Sequence, residues 1–190
     1  MYVNGWWFQS VSLSQNGSYD YIQVRMKLRK PVIVEPGQYI NLWIPLGPLS
    51  VLQSHPFTVA RLQNEPFTVD SWSTRGQTEL KVFANVNRGL TRNLRDAVER
   101  GLTSNIGLYM GPYGSTIDMK GYETILLVAT GLGVVAVAPY LQWLVHAIHT
   151  REIRSAPVHL IWHIPSWSKS HLPLFSSSAD KSCRAITCGL

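Results

Sequence analysis

The chain has 190 residues, 45% of them hydrophobic and 15% charged. This composition supplies a core and differs from that of a disordered chain. Seventeen basic residues against eleven acidic ones give a formal charge of +6, which favours anionic ligands such as dinucleotide phosphates or an anionic membrane surface. No run of Lys and Arg alternates with aromatic residues, so we expect no nucleic-acid partner. The two cysteines, Cys183 and Cys188, make neither a disulfide framework nor a four-ligand zinc site, which indicates a reduced, cytosolic setting.

Alternating apolar and polar residues predict short β-strands in the first part of the chain. These strands are expected at residues 6–14, 19–28, 38–44 and 78–86. Asn16-Gly17 between the first two indicates a hairpin, and residues 91–100 have the spacing of a short helix. Another strand begins in the octapeptide 52–59, where His55-Pro56 precedes an apolar run and the proline removes no ladder bond. Many short strands with Gly/Pro turns predict a small antiparallel β-barrel over residues 1–118.

The pattern changes after residue 118. Residues 124–129 are a continuous apolar run, which is typical of a parallel strand covered on both faces. The glycine turn Gly131-Leu132-Gly133 follows, then a helical stretch to about residue 150 and a second buried strand at 157–164. Strand, turn, helix and strand together form a βαβ unit.

We therefore expect an incomplete Rossmann-like parallel α/β domain at residues 119–165, followed by a Ser-rich tail at 166–190. A different interpretation stays open, because residues 124–150 carry no Asp, Glu, Lys or Arg and are long enough to cross a bilayer. On that interpretation the chain is a single-span membrane protein. The glycine break and the histidines, which would need partners in lipid, favour the α/β interpretation. His146 and His149 are read as packing or surface residues, so no metal site is predicted.

Four further motifs accompany the octapeptide at 52–59. They are Pro36-Gly37-Gln38-Tyr39-Ile40, Arg88-Gly89-Leu90-Thr91, Gly111-Pro112-Tyr113-Gly114, and Thr130-Gly131-Leu132-Gly133 with Pro139 after it. In this order and spacing the five motifs resemble the FAD- and NADPH-binding half of ferric reductases and NADPH oxidases, membrane relatives of the ferredoxin–NADP reductase superfamily. The resemblance covers roughly residues 5–163. It implies an antiparallel FAD-binding β-barrel followed by an NADP-binding α/β domain.

The resemblance also implies the cofactors FAD and NADPH. Electrons would pass from NADPH through FAD to haem and on to ferric iron, as in ferric-chelate reductases, with the haem held by a membrane domain that this chain lacks. That membrane haem domain is the implied protein partner. The implied location is the cytosolic face of the plasma membrane, whereas the chain alone is expected to be soluble. No side chain is implied to be catalytic, because the redox chemistry belongs to the cofactors.

The resemblance divides the implied site into separate parts. The residues for the flavin ring are His55, Pro56, Phe57, Thr58 and Val59. The residues for the pyrophosphate are Arg88, Gly89 and Thr91. The residues packing near the flavin are Gly111, Tyr113 and Gly114, and those for the NADPH phosphates are Thr130, Gly131 and Gly133. Plainer interpretations stay open, with Thr91 as a helix N-cap and residues 111–114 as an ordinary tight turn that ends the barrel.

The octapeptide recurs ten residues later, at 62–69, so either copy could contact the flavin. The first copy is favoured because it has His55 where the second has Glu65, a carboxylate that does not suit phosphates. The chain stops soon after the second α/β strand, and in its atypical tail residues 185–189 resemble the late Cys-Gly turn that flanks the nicotinamide in relatives. A second hypothesis is therefore a truncated, non-catalytic FAD-binding or structural remnant of such a reductase.

Overall fold

The structure, a computed structural model, describes residues 8–15, 21–46, 54–60, 76–153 and 157–163, together with the backbone of Arg184–Cys188. The barrel strands are β1 (Gln9–Gln15), β2 (Tyr21–Val32), β3 (Tyr39–Trp43), β4 (His55–Ala60), β5 (Gln77–Asn85) and β6 (Ser104–Tyr113), with helix α1 (Leu90–Glu99) between the last two. The second part contains β7 (Ile125–Thr130), a 3₁₀ turn (Gly131–Gly133), α2 (Val134–His149), β8 (Val158–His163) and β9 (Arg184–Cys188). The predicted turn at Asn16-Gly17 and the second octapeptide at 62–69 lie outside the described residues.

The six barrel strands close into an antiparallel barrel in the order β1-β2-β5-β4-β3-β6, with β6 pairing back to β1. This confirms the predicted fold of the first part. Inward-facing apolar side chains from each strand meet in one core, as the period-2 alternation requires. Its fully buried members include Val11, Ile22, Val24, Met26, Ile40, Leu42, Leu80 and Val82. Helix α1 adds Leu90 and Leu94 to the same core and so packs onto the barrel.

Strand β6 closes the barrel but was not predicted, because glycines inside a run ordinarily indicate a turn or a bulge. The surroundings of Gly107 explain why the strand needs a glycine at this position. A Cβ at this position would lie 2.8 Å from Val11 Cγ2 and 3.0 Å from the Trp43 carbonyl oxygen. The backbone of β6 therefore approaches the core more closely than a side chain would allow.

The second part is a small sheet in the order β7-β8-β9, with β7 and β8 parallel and joined through α2. This confirms the predicted βαβ unit. The prediction that β7 is covered on both faces is wrong for the described residues. Ile125, Leu127 and Ala129 are buried on the face that meets α2, whereas Leu126 and Val128 on the other face are 58% and 63% exposed. A continuous apolar run is compatible with packed layers on both faces of a strand, but it does not require a layer on the second face.

The predicted alternative of a helix spanning residues 124–150 is not what forms, because Ile125–Thr130 is a strand paired with β8. The helical stretch Gly131–His149 is long and apolar enough, by length and composition alone, to cross a membrane. It packs against β4 and β7. Its buried residues include Val134, Val135, Ala138 and Leu144.

Helix α2 joins the two parts of the fold. Val134 and Ala138 pack in one cluster with Tyr21 and Ala60 of the barrel. Tyr140 lies against Gly37, where a Cβ would collide with the tyrosine hydroxyl. The helix is thus held between its own sheet and the outer surface of the barrel.

Strand β9 comes from the segment predicted to be a tail, so part of that tail belongs to the second sheet. It pairs antiparallel with β8, with Arg184 opposite Trp162 and Cys188 opposite Val158. Cys188 therefore lies at the amino end of β8, whereas the glycine turn follows the carboxyl end of β7. This register puts Cys188 at the opposite edge of the sheet from the glycine turn, which disagrees with the expected position of a Cys-Gly turn beside a nicotinamide; Gly189 lies outside the described residues.

Candidate functional site

An open groove lies on the outer surface of the barrel where β3 and β4 pair. The register places Tyr39 opposite Thr58 and Asn41 opposite Pro56, so these side chains share one face of the two strands. The groove has a volume of about 410 Å³, and its lining residues are Gly37, Tyr39, Asn41, Pro56, Phe57 and Thr58. It therefore brings together three of the five residues of the predicted β4 site, Pro56, Phe57 and Thr58.

His55, Phe57 and Val59 turn their side chains to the inward face of β4, opposite to Pro56 and Thr58, and Phe57 packs against the barrel core opposite Ile40. The Val59 side chain is only 3% exposed and belongs to the barrel core, so a ligand could reach no more than its backbone. His55 pairs with the buried residue Leu42. Its Nε2 atom is buried and has no hydrogen-bond partner among the residues that the structure describes. His55 shares the inward face of β4 with Val59, so this atom points away from the groove.

Strand β3 contributes Tyr39 and Asn41, two groove residues that were not predicted as site residues. The Tyr39 ring is 39% exposed, and its centroid lies 5.8 Å from that of Tyr113 at an interplanar angle of 43°. The signal was present in the alternation of Tyr39-Ile40-Asn41-Leu42, in which every second residue points outward. The pairing of β3 with β4 could not be read from the chain and was needed to place these residues in the site.

Gly111, Tyr113 and Gly114 lie at the edge of this groove. The prediction of a tight turn over residues 111–114 is wrong in detail, because β6 continues to Tyr113 and the bend comes at Gly114. Gly114 has φ +93°, and a Cβ there would lie 3.2 Å from the carbonyl oxygen of Gly37. Two glycines therefore pack closely together and bring the end of β6 beside β3.

Arg88, Gly89 and Thr91 lie at the start of α1. The interpretation of Thr91 as N-cap is wrong, because the cap is Gly89, at φ +79°, and it makes no side-chain capping bond. Thr91 Oγ1 instead accepts a hydrogen bond from the Asn87 N–H at 2.9 Å. Arg88 and Gly89 are exposed, and the first N–H groups of the helix have no acceptor within the helix. This end of α1 is suited to an anion.

The antiparallel pairing of β4 with β5 relates this helix end to the groove. Val59 lies opposite Val82 and Ala60 opposite Lys81. Because the two strands are antiparallel, the start of β4 at His55 lies beside the end of β5, which leads to Arg88. The groove and the start of α1 lie at the same end of the barrel.

Thr130, Gly131 and Gly133 lie at the carboxyl edge of the parallel strands β7 and β8. Thr130 is opposite His163 in the register, and its Oγ1 lies 3.4 Å from His163 Nδ1. Gly131 has φ +50°, and a Cβ at Gly131 or Gly133 would have no neighbour within 4 Å. The space over both glycines is open, so a ligand could approach their backbone closely.

The glycine turn lies beside the barrel, because Leu132 packs in one cluster with Phe83 of β5 and Ala60 of β4. Ala60 and Thr58 share a face of β4, so the groove and α2 occupy successive parts of the same strand.

No group of three or more His, Cys, Asp or Glu residues able to hold a metal ion occurs in the described ranges. Burial lowers the pKa of Lys81 on the neighbouring β5, an effect that Glu79 opposes and Arg25 reinforces.

Comparison with known families decides what kind of barrel this is. The family model described as an FAD-binding domain matches residues 7–117, which include all six barrel strands and the groove. The chain belongs to the FAD-binding domain family. Within this FAD-binding region the open groove combines apolar and aromatic surface from Pro56 and Tyr39 with the polar side chains of Asn41 and Thr58. This lining fits a flavin, which has an apolar ring system and several heteroatoms that need partners.

The relatives of this FAD-binding domain are ferric reductases. Ferric reductase transmembrane component 5 of Saccharomyces cerevisiae is 39% identical over 116 residues, covering 60% of this chain and 15% of that protein. Ferric/cupric reductase transmembrane component 2 of the same organism is 36% identical over 115 residues, covering 58% of this chain and 14% of that protein. The chain thus spans about one seventh of the length of these relatives.

Solved structures show the same fold for most of the chain at low sequence identity. The ferredoxin reductase in carbazole 1,9a-dioxygenase has a TM-score of 0.59 at 14% identity, covering 85% of this chain and 43% of that chain. The CS-b5R domains of human Ncb5or have a TM-score of 0.59 at 15% identity, covering 86% of this chain and 45% of that chain. Both likenesses extend beyond the FAD-binding barrel into the small α/β sheet, because the barrel alone is a smaller part of the chain.

Proposed function

We propose that this FAD-binding region is the flavin reductase part of a ferric-chelate reductase. Bound FAD would accept a hydride from NADPH and release the electrons singly to haem, from which they reach ferric iron. The observation that carries the proposal is the groove between β3 and β4, which lies within the region that the FAD-binding family model matches and is lined by Tyr39, Asn41, Pro56, Phe57 and Thr58. The names of the relatives, all of them ferric reductases, supply the reaction class.

The groove residues would hold the flavin ring by shape and by a small number of polar contacts. Pro56 supplies apolar surface, and Thr58 supplies a hydroxyl on the same outer face as Tyr39. Phe57 would contribute its backbone, because its side chain packs against the barrel core. Tyr39 and Tyr113, with their rings in contact, form an aromatic wall at the edge.

The start of α1 would hold the pyrophosphate of FAD. Arg88 is exposed and brings a positive charge, and the positive φ of Gly89 leaves the backbone uncovered. The N–H groups of the first turn point toward the same region and favour an anion. Because this helix end and the groove lie at the same end of the barrel, one extended dinucleotide could reach both.

The glycine turn at the carboxyl edge of β7 would hold the phosphates of the pyridine nucleotide. Ligands of open parallel sheets bind outside the carboxyl ends of the strands, where Thr130 and the two glycines are found. Gly131 and Gly133 leave open space over the backbone, and α2 directs its N-terminal N–H groups toward it. NADPH is proposed over NADH on the family resemblance.

The proposed protein partner is a membrane haem domain, at the cytosolic face of a plasma membrane. This part of the proposal rests on the relatives, which are named transmembrane components. The net charge of +6 is compatible with a location beside an anionic membrane surface.

The test is a titration of the purified full chain with FAD, followed by NADPH under argon. We expect the protein to bind FAD with a changed flavin spectrum and the flavin absorbance to bleach when NADPH is added. Thr58→Val should weaken FAD binding about fivefold, since it removes one hydrogen-bonding hydroxyl. Thr103→Val is the matched control, because Thr103 precedes the opposite end of β6, about 30 Å along the strand from Tyr113.

The outcomes separate the two hypotheses from the sequence. Bleaching by NADPH supports the reductase. FAD binding without bleaching supports a non-catalytic FAD-binding module and contradicts the nucleotide part of the proposal. A folded protein that binds no FAD contradicts the reductase and favours a structural remnant.

A further inference from the structure

A single hydrogen bond ties the glycine turn to the next strand. The indole N–H of Trp162 donates to the carbonyl oxygen of Gly131 at 2.9 Å. Trp162 lies in β8 directly opposite Ala129, two residues before Gly131. Its ring also packs in the cluster formed by Ala129, Val134 and Ala138, so the donor is held in place by apolar contacts on the α2 face.

This bond determines which way the turn presents its backbone. The peptide between Gly131 and Leu132 is planar and trans, so its carbonyl and its N–H point in opposite directions. Holding the Gly131 carbonyl toward Trp162 therefore holds the Leu132 N–H away from Trp162. The 3₁₀ turn also restrains this peptide, but its hydrogen-bond geometry is poorer than that of an α-helix. Loss of the Trp162 bond should therefore let the peptide rotate more readily, because Gly131 has φ +50° and no neighbour for a Cβ.

The orientation matters for an anion in two ways. A carbonyl oxygen facing a phosphate repels it, whereas an N–H group facing it attracts it. The Trp162 bond satisfies the carbonyl on the side of the sheet and leaves the turn free to present donors. The same edge carries the Thr130 hydroxyl, which lies close to His163 Nδ1.

We infer that Trp162 is a positioning residue, which orients the Gly131–Gly133 turn so that its N–H groups face the phosphates of a pyridine nucleotide. The inference rests on the proposed nucleotide-binding role of this turn. Trp162 touches neither cofactor on this account. Its proposed effect on the nucleotide passes through the Gly131 carbonyl.

The test compares Trp162→Phe with Trp143→Phe in the full chain. Trp143→Phe is the matched control, because it makes the same substitution in α2, where the ring packs in a cluster that does not include the glycine turn. Amide hydrogen exchange at residues 131–134 should become about fivefold faster in Trp162→Phe, the scale expected for loss of one hydrogen bond. The affinity for NADP⁺, measured by calorimetry, should fall by about the same factor, with FAD affinity unchanged. Trp143→Phe should alter neither.

A second variant guards against loss of packing. Site-specific replacement of Trp162 by benzothienylalanine keeps the shape of the ring and lacks the N–H, so it should reproduce the Trp162→Phe result if the hydrogen bond is the cause. Unchanged exchange at residues 131–134 in both variants would overturn the inference. So would faster exchange with unchanged NADP⁺ affinity.

The wild-type measurement separates this inference from the proposed function. If the unmodified chain binds FAD but no NADP⁺, the nucleotide part of the proposed function is wrong, and the role of Trp162 is wrong with it. If the unmodified chain binds NADP⁺ and both variants bind it equally well, only the role of Trp162 is wrong.

Discussion

The two glycines of the turn after β7 should respond in opposite ways to alanine. Gly131 has φ +50°, a left-handed conformation that costs an alanine about 1–2 kcal/mol. Alanine also lowers the conformational entropy of the unfolded chain, which raises the free energy of unfolding by about 0.4–1 kcal/mol. Gly131→Ala should therefore destabilise the chain by about 1 kcal/mol. Nothing lies within 4 Å of the added methyl group, so no steric clash adds to this figure.

Gly133 has φ −57° and ψ −21°, which any residue adopts at the start of a helix. A methyl group there also meets no neighbour within 4 Å. Gly133→Ala should therefore stabilise the chain by about 0.4–1 kcal/mol through the unfolded state. The two variants should differ by roughly 1–2 kcal/mol, which is essentially the left-handed penalty alone.

Urea unfolding of the full chain, followed by tryptophan fluorescence, measures this difference. Equal m-values would show that the variants unfold from similar native states. Calorimetry with NADP⁺ adds the functional arm. Gly133→Ala should bind NADP⁺ more weakly although it is more stable, because its methyl group occupies the space through which a phosphate would approach. Equal stabilities of the two variants would contradict the left-handed penalty at Gly131. Unchanged NADP⁺ affinity in Gly133→Ala would contradict the binding of phosphates at the glycine turn.

Two further predictions concern the barrel. Gly107→Ala should destabilise the chain by about 1–3 kcal/mol, because its Cβ would lie 2.8 Å from Val11 Cγ2 and the core would be overpacked; a urea midpoint within error of wild type would contradict the close approach of β6. Arg88→Gln should leave stability within about 0.5 kcal/mol, since Arg88 is exposed, but should weaken FAD binding about tenfold and reduce its salt dependence. FAD titration at low and high salt measures the effect, and an unchanged affinity at low salt would exclude Arg88 from the pyrophosphate site.

The strands with regular alternation could be predicted from the chain, and those without it could not. Ile22, Val24 and Met26 alternate with polar residues and are all buried, as expected. Strand β6 has glycines where alternation would place side chains, so its assignment depends on the close packing that Gly107 permits. Strand β9 could not be predicted, because an edge strand in a Ser-rich segment carries little signal of its own.

Some residues of the candidate site could be predicted from the local sequence, and others could not. Pro56, Phe57 and Thr58 were predicted from local sequence, and the structure places them in one groove. Tyr39 and Asn41 were not predicted as site residues, because only their pairing with β4 brings them to that groove. Val59 was predicted with its neighbours, yet its side chain faces the core, since successive residues of a strand point to opposite sides.

The sequence by itself determined the two-part architecture, because many short strands with Gly/Pro turns predict an antiparallel barrel, and a strand, glycine turn, helix and strand in succession predict a βαβ unit. It also determined the positions of the glycine-containing motifs, since positive φ angles are a property of the local chain. The tertiary structure decided which motifs meet, which face of β7 is covered and that Trp162 holds the Gly131 carbonyl. These relations join residues far apart in the chain, so they depend on strand order and register, and no local pattern encodes them.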